Sequence, residues 1–157
     1  MAKRKLYRYR KYSMRSKSEV MFATALDALG IPWEYERDQF SWNPAPPKPK
    51  KYTPDFLLTK KDGSGTIYLE YKGYLRNSFE KQKMVAMKKQ HPELDIRFVF
   101  EKANKPMSGS QKRKDGTRQT HGEWATLNDF DWMEFNPRGK KTLEECIPPN
   151  WLEEIYI

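Results

Sequence analysis

The sequence predicts an α/β (α+β) fold in which helices flank one mixed central β-sheet. A capping box, with Ser16 as the N-cap and Glu19 three residues later, opens a helical pattern that ends near Gly30. Two strand-like runs, "TPDFLLTK" and "TIYLEYKG", are separated by the glycine turn "DGSG". A second helical pattern then leads to a further apolar run, "LDIRFVFE". Strands and helices in this order favour a mixed sheet.

The first third of the chain also contains two segments outside these elements. Residues 1–15 predict a flexible basic arm, and residues 16–157 one folded domain. The alternating run "PWEYERDQF" predicts a strand from Trp33 to Phe40. Prolines at positions 44, 46, 47 and 49 predict that residues 43–51 form a stiff, extended connector.

The rest of the chain alternates between helical patterns and polar segments. The run "NSFEKQKMVAMKKQHP" predicts a helix with Asn77 as its N-cap and Pro92 beyond its end. The polar, basic stretch from Lys102 to Gln119 predicts a mobile loop. The run "THGEWATLNDF" predicts a short helix, and "IPPNWLEEIYI" predicts a short helical or docking segment.

The length and composition of the chain limit the classes of protein to which it can belong. A chain of 157 residues has room for one domain with a hydrophobic core. The apolar run "VMFATALDAL" is interrupted by Asp27 and is too short to span a membrane. No apolar signal segment follows the basic N-terminus, and the single cysteine, Cys146, cannot form an internal disulfide. We therefore expect a cytoplasmic protein with no membrane partner.

The net charge of +9 is concentrated near the N-terminus. Residues 1–17 contain eight Lys and Arg side chains and no acid, interleaved with Tyr7, Tyr9 and Tyr12. This combination suits a phosphate backbone, because cations release its counterions and rings stack on bases. A solvated tail that only aids solubility is the alternative. The candidate DNA-binding residues are Arg8, Arg10, Lys11, Arg15 and Lys17, with Lys81 and Lys88 of the second predicted helix.

A candidate catalytic site lies where a carboxylate and an ammonium group share one face of a predicted strand. Glu70 and Lys72 are two residues apart, and Asp55 begins the preceding strand across a short turn. A suitable register would place Asp55 beside Glu70, although the turn does not fix that register. Two close carboxylates favour Mg²⁺ or Mn²⁺ between them, and Lys72 could then orient water or stabilise a phosphoryl oxygen. The alternatives are a solvated ion pair and ordinary turn chemistry.

Glu19 is a further catalytic candidate. It shares one helical stripe with apolar residues, so it points along the side of the helix that faces the core. Capping the helix and serving in a catalytic site are compatible roles for this side chain. The stripe consists of Glu19, Phe22, Ala23, Leu26 and Leu29.

These residues resemble the metal-dependent nuclease pattern PD-(D/E)xK. More specifically, the runs "YTPDFLL", "LEYKG", "QHPELDIRFVF", "HGEW" and "IPPNWL" resemble, in order, the phage endonuclease I family of Holliday-junction resolvases. The resemblance extends from about Ser16 to Leu152. It is weakest in the proline-rich connector and in the Lys102–Gln119 loop, which is longer here.

The resemblance implies a restriction-endonuclease-like nuclease domain in a domain-swapped homodimer that cuts four-way DNA junctions and leaves 5′-phosphate ends. Asp55, Glu70 and the backbone carbonyl of Tyr71 would bind Mg²⁺ or Mn²⁺, with two ions per site. Glu19 would complete the acidic cluster as a further candidate ligand, and Lys72 would support the attacking water. The protein would act in the cytoplasm of the bacterial host during phage infection.

Two other functions stay open from the residues alone. One is a non-catalytic protein that binds branched DNA, although such a protein has no reason to keep carboxylates close to phosphate. The other is a nuclease of the same chemistry that acts on other DNA structures. The connector supports the swap, since nine polyproline-like residues extend roughly 28 Å at about 3.1 Å each. A long surface loop in a monomer is the alternative.

Overall fold

The computed structural model describes residues 5–44 and 50–155. This part of the chain contains nine strands and five helices. In chain order they are β1 (Tyr7–Tyr9), β2 (Tyr12–Met14), α1 (Lys17–Ala28), β3 (Trp33–Tyr35), β4 (Phe40–Trp42), β5 (Lys50–Tyr52), β6 (Phe56–Thr59), β7 (Thr66–Lys72), α2 (Ser78–Gln90), β8 (Asp95–Phe100), α3 (His121–Leu127), β9 (Trp132–Glu134), α4 (Leu143–Cys146) and α5 (Pro149–Ile155).

A five-stranded sheet with the order β3-β6-β7-β8-β9 lies at the centre. The pairs β3–β6 and β6–β7 are antiparallel, whereas β7–β8 and β8–β9 are parallel. Side chains alternate along β7: Ile67 and Leu69 pack with α1, and Tyr68 packs with α2 and α3 on the other face. The predicted α+β fold with a mixed sheet between helices is therefore confirmed.

Helix α1 has the boundaries that its sequence signals predict. Ser16 and Glu19 form the complete capping box, and the helix ends in a Schellman motif. In that motif Gly30 has a φ of 70°, and the N–H of Ile31 donates to the carbonyl of Leu26 at 3.0 Å. Glycine suits this position because a side chain would be strained there. These motifs fix where α1 begins and ends, and its buried residues Phe22, Ala23 and Leu26 face the core.

The described part of the predicted flexible arm is a β-hairpin, so that prediction was wrong for these residues. β1 pairs with β2, and Arg10 in the turn between them has a φ of 53°. Met14 is fully buried in the core, and the rings of Tyr9 and Tyr12 pack on Trp33. The alternation of apolar and basic residues is a strand pattern that the high charge obscured.

The predicted strand from Trp33 to Phe40 is broken. β3 ends at Tyr35 because Glu36 adopts a φ of 46°, and the chain becomes extended again at β4. β4 pairs antiparallel with β5, which forms the last part of the predicted connector. Residues 45–49, which contain three of the connector's prolines, lie outside the described residues.

The loop from Lys102 to Gln119 contains neither helix nor strand over its full, described length. It is nevertheless attached to the domain. Pro106 forms a bridge with Thr120, and Met107 is 3% exposed in the core. Its predicted mobility stays a prediction. Two short elements after it, β9 and α4, were not predicted.

Candidate active site

Two buried carboxylates meet where β6 and β7 pair. Phe56 lies opposite Leu69 in this antiparallel pair, which places Asp55 opposite Glu70. Asp55 is 2% exposed and Glu70 is 3% exposed. The Oδ2 atom of Asp55 accepts a hydrogen bond from the N–H of Tyr71 at 2.8 Å. The register that the sequence left open therefore brings the two acids together.

Glu19 is directed to the same place from the first turn of α1. Its Oε1 atom accepts the N–H groups of Arg15 and Ser16, each at 3.0 Å. The hydroxyl of Tyr35 lies 3.2 Å from both carboxylate oxygens. Burial raises the pKa of Glu19, and the Arg15 guanidinium partly opposes that rise. Glu19 thus caps the helix and also faces the site.

Glu70 connects a buried tyrosine with the predicted catalytic lysine. The hydroxyl of Tyr52 donates to its Oε2 at 2.5 Å, and the Nζ of Lys72 lies 3.3 Å from its Oε1. Glu80, in the first turn of α2, lies 3.7 Å from the same Nζ. Burial alone would lower the pKa of Lys72, but Glu70, Asp55 and Glu80 together raise it. Lys72 is therefore a cation at neutral pH.

The surroundings of Asp55 disfavour its negative charge. Burial raises its pKa well above the usual range, and the charges of Glu70 and Glu19 raise it further. The Arg15 guanidinium opposes this rise, because it lies 2.5 Å from Asp55 Oδ1. The same guanidinium lies 2.8 Å from Glu36 Oε1. The positive charge of Arg15 therefore stabilises the ionised form of the buried carboxylates.

The donor set fits a hard divalent ion by its chemistry. Asp55 and Glu70 present oxygen ligands on neighbouring strands, which suits Mg²⁺ or Mn²⁺. Among the described residues, however, no three His, Cys, Asp or Glu side chains already enclose a metal position. Arg15 lies on Asp55 Oδ1 and Lys72 lies near Glu70 Oε1, so these two cations would have to shift, whereas the Tyr52 hydroxyl can stay on Glu70 Oε2. The predicted ligation by the Tyr71 carbonyl stays a prediction.

Asp55 and Glu19 lie on the floor of a cleft of about 610 Å³, and Glu70 is buried opposite Asp55. Several residues that line the cleft or contact its carboxylates were not predicted from the sequence. Tyr52 could have been found, since it precedes the Pro-Asp pair in "YTPD". Others, among them Tyr35, Arg76, Lys102 and Lys105, come from segments that only the tertiary fold brings together.

Comparisons with known proteins identify the family of the chain. A sequence model of the family described as phage endonuclease I matches residues 1–156. The chain belongs to the phage endonuclease I family. It is 32% identical to "Endonuclease I" of Escherichia phage T7 over 142 residues, which is 90% of this chain and 80% of that protein. It is 35% identical to "Endodeoxyribonuclease 1" of Enterobacteria phage T3 over 112 residues, which is 71% of this chain and 65% of that protein.

The predicted DNA-binding residues of this phage endonuclease I family member are divided between surface and internal contacts. Arg8 is exposed on β1. Arg10 is paired with Asp27 at 3.0 Å, and Arg15 is paired with the carboxylates of the cleft. The ammonium groups of Lys11 and Lys17 lie over the rings of Tyr12 and Tyr7, at 5.4 Å and 5.9 Å.

The two candidates on α2 lie at its opposite ends. The Nζ of Lys81 donates to the carbonyl of Ser108 at 3.1 Å, so it holds the long loop beside the cleft. Lys88 contacts the Asp129 carbonyl and lies 4.7 Å from the Phe130 ring centroid, in the last turn of the helix. DNA binding by these basic residues stays a prediction. None of the described helices is both long and apolar enough to cross a membrane.

Proposed function

We propose that this protein is a metal-dependent DNA endonuclease that resolves four-way junctions by hydrolysis and leaves 5′-phosphate ends. One observation carries the proposal: Asp55 and Glu70 lie opposite each other, both buried, with the ammonium of Lys72 3.3 Å from Glu70. A protein that only binds DNA gains nothing from buried acids in a cleft that phosphate must approach. Membership of the phage endonuclease I family supports the same chemistry.

Asp55 and Glu70 would hold Mg²⁺ or Mn²⁺, with the Tyr71 carbonyl and Glu19 as the further candidate ligands of two ions. The metal supplies Lewis-acid stabilisation of a phosphoryl oxygen and a more acidic bound water. Lys72 is charged, so it can donate a hydrogen bond to the attacking water or to the phosphoryl oxygen as charge builds there. Tyr52 and Tyr35 keep the carboxylates of Glu70 and Glu19 in place.

The basic surface would bind the arms of the junction. A net charge of +9 favours a polyanion and makes the affinity dependent on salt. We propose that two chains form the active enzyme, because resolution requires two opposed cuts in one junction. The protein would do this in the cytoplasm of the infected bacterial host.

The test uses Asp55→Asn with Asp62→Asn as the matched control, since Asp62 is exposed in the β6–β7 turn. Each protein is mixed with Mg²⁺ and equal amounts of a labelled four-way junction and a linear duplex of the same sequence. We expect the control to cut the junction preferentially, and Asp55→Asn to bind the junction without cutting it. Near-normal hydrolysis by Asp55→Asn would overturn the metal assignment, and equal cutting of both substrates would overturn junction selectivity.

A further inference from the structure

Three basic side chains line the cleft beside the buried carboxylates and have no role in the chemistry proposed above. Arg76 follows β7, and Lys102 and Lys105 lie at the start of the long loop after β8. All three are exposed, whereas Asp55 and Glu19 on the cleft floor are 2% and 3% exposed. The cleft thus has buried acids on its floor and exposed cations on its wall, and the two other acids that line it, Glu80 and Glu101, contact Lys72 at 3.7 Å and the Tyr71 hydroxyl at 3.0 Å.

The cations of this wall are available to a ligand. Among the described residues, none of the three forms an ion pair, in contrast to Arg15 and Lys72 on the floor. The closest partner of Lys105 is aromatic: its Nζ lies 4.0 Å from the ring centroid of Tyr74. A neutral ring attracts the cation without cancelling its net charge, so that charge can still attract an anion.

A buried histidine joins the two segments that form the wall. His121 is fully buried, its Nε2 accepts the N–H of Leu75 at 3.0 Å, and its Nδ1 lies 2.7 Å from the carbonyl of Lys105. These partners require a neutral ring with the proton on Nδ1, and burial lowers the pKa of His121 in the same sense. One side chain therefore sets the distance between the Arg76 and Lys105 segments.

Further contacts fix the loop end that carries the lysines. Ala103 and Met107, on either side of Lys105, are 6% and 3% exposed. The N–H of Ala103 also donates to the carboxylate of Glu134 at 2.6 Å, and Lys81 holds the carbonyl of Ser108. The lysine backbones are therefore fixed in position, which lowers the entropy lost when their side chains bind a ligand.

From this geometry we infer a phosphate subsite, formed by Arg76, Lys102 and Lys105, that binds a backbone phosphate next to the scissile one on the cleaved strand. The inference rests on the proposed nuclease function, because that function places a DNA strand in the cleft. Phosphate is the anion that such a strand presents on both sides of the cut, and exposed lysines and arginine are its usual ligands. The subsite would position the strand without taking part in hydrolysis.

The test measures binding in an Asp55→Asn background, so that it does not depend on cleavage. Lys102→Gln/Lys105→Gln is compared with Lys140→Gln/Lys141→Gln, an equal change of charge at exposed residues of the β9–α4 segment. The ligands are a four-way junction and a set of junctions that each contain one neutral methylphosphonate linkage near the scissile position.

We expect Lys102→Gln/Lys105→Gln to reduce the slope of log affinity against log salt by about 1 to 2, and more than the control does. At one flanking position the neutral linkage should weaken junction binding by the Asp55→Asn protein and by the Lys140→Gln/Lys141→Gln control. The Lys102→Gln/Lys105→Gln protein should bind this junction no more weakly than it binds the unmodified one, because its phosphate subsite is already lost. Equal losses in all three proteins at every position would overturn the subsite. Failure of Mg²⁺-dependent cleavage by the unmutated protein would instead overturn the proposed function.

Discussion

At the scale of single residues, two buried tyrosines hold the carboxylates of Glu19 and Glu70 in place. Tyr35 contacts both oxygens of Glu19, and Tyr52 donates to Glu70. Each hydroxyl reduces the rotational freedom of one carboxylate before a metal arrives. A carboxylate held in this way loses less entropy on binding the ion, and such outer contacts commonly change metal affinity or activity by about 10- to 100-fold.

Tyr52→Phe should therefore lower the cleavage rate at a fixed, subsaturating Mg²⁺ concentration by about 10-fold or more. The loss should shrink as Mg²⁺ is raised, because the phenyl ring keeps the packing and only the orientation of Glu70 is lost. Tyr68→Phe is the matched control, since Tyr68 also donates to a carboxylate, Asp38, at 2.5 Å. Identical Mg²⁺ titrations for the two variants would contradict this role of Tyr52.

Asp55→Asn should make the metal-free protein more stable. The raised pKa of Asp55 means that the folded state favours the protonated acid, so the ionised form at neutral pH weakens folding. Asparagine resembles the protonated form and still accepts from the Tyr71 N–H. We expect its melting temperature to exceed that of the unmutated protein without metal, by about 2–4 °C for each kcal/mol gained.

The same melting temperatures are then measured in the presence of Mg²⁺. It should raise the melting temperature of the unmutated protein, because a ligand that binds only the folded state stabilises it. Asp55→Asn should show little or no such rise, while the exposed control Asp62→Asn should behave like the unmutated protein. A lower melting temperature for Asp55→Asn, together with an undiminished response to Mg²⁺, would show that Asp55 is structural.

At the scale of elements, the β1–β2 hairpin combines a packing role with its charge. Met14 is fully buried, and Tyr9 and Tyr12 pack on Trp33. Arg10 and the hydroxyl of Tyr9 both contact Asp27 of α1. The hairpin therefore supports α1, which presents Glu19 to the cleft.

Deleting residues 2–14 should lower both stability and affinity for DNA. The loss of Met14 alone costs about 2–5 kcal/mol, since a large apolar side chain leaves the core. We expect the melting temperature to fall by more than about 5 °C. In contrast, Arg8→Gln/Lys11→Gln should flatten the salt dependence of junction binding and leave the melting temperature unchanged. An unchanged melting temperature after the deletion would show that the hairpin does not contribute to folding.

Local signals account for the elements that the sequence predicted. Helix α1 follows from the capping spacing of Ser16 and Glu19, and β7, which is buried on both faces, from a run of aromatic and branched residues after a glycine turn. The break at Glu36 escaped prediction, because a single residue with positive φ leaves the apolar pattern intact. Strand β9 has three residues, too few for a periodic signal.

In the cleft, too, some residues could be predicted from local sequence signals and others depend on the tertiary fold. Residue type and family resemblance pointed to Asp55, Glu70, Lys72 and Glu19, which the fold brings together. Lys105 could not be found in that way, because its place beside the carboxylates depends on a loop held by His121. Contacts between residues distant in sequence follow from register and packing, which a single sequence does not display.

At the scale of the whole molecule, the pairing of β4 with β5 is compatible with either a monomer or an exchange of segments. Phe40 lies opposite Tyr52 and Trp42 lies opposite Lys50, so the pairs are symmetric about position 46. Two copies related by a twofold axis could form the same pairs between chains, β4 of one with β5 of the other. Proline at positions 46, 47 and 49 disfavours a tight return of the chain. We therefore propose the swapped homodimer.

Mixing two inactive variants distinguishes the two arrangements. Glu19 lies before the connector and Lys72 after it, so a swapped dimer builds each site from both chains. Glu19→Ala and Lys72→Ala are unfolded and refolded together, because intact swapped dimers exchange slowly. In a mixed swapped dimer one active site contains both substitutions and the other contains neither. This dimer should therefore nick one strand of a junction without resolving the junction. Each variant refolded alone is the control. In an unswapped dimer every site keeps one defect, and no nicking above the controls would reject the shared site even if the protein is dimeric.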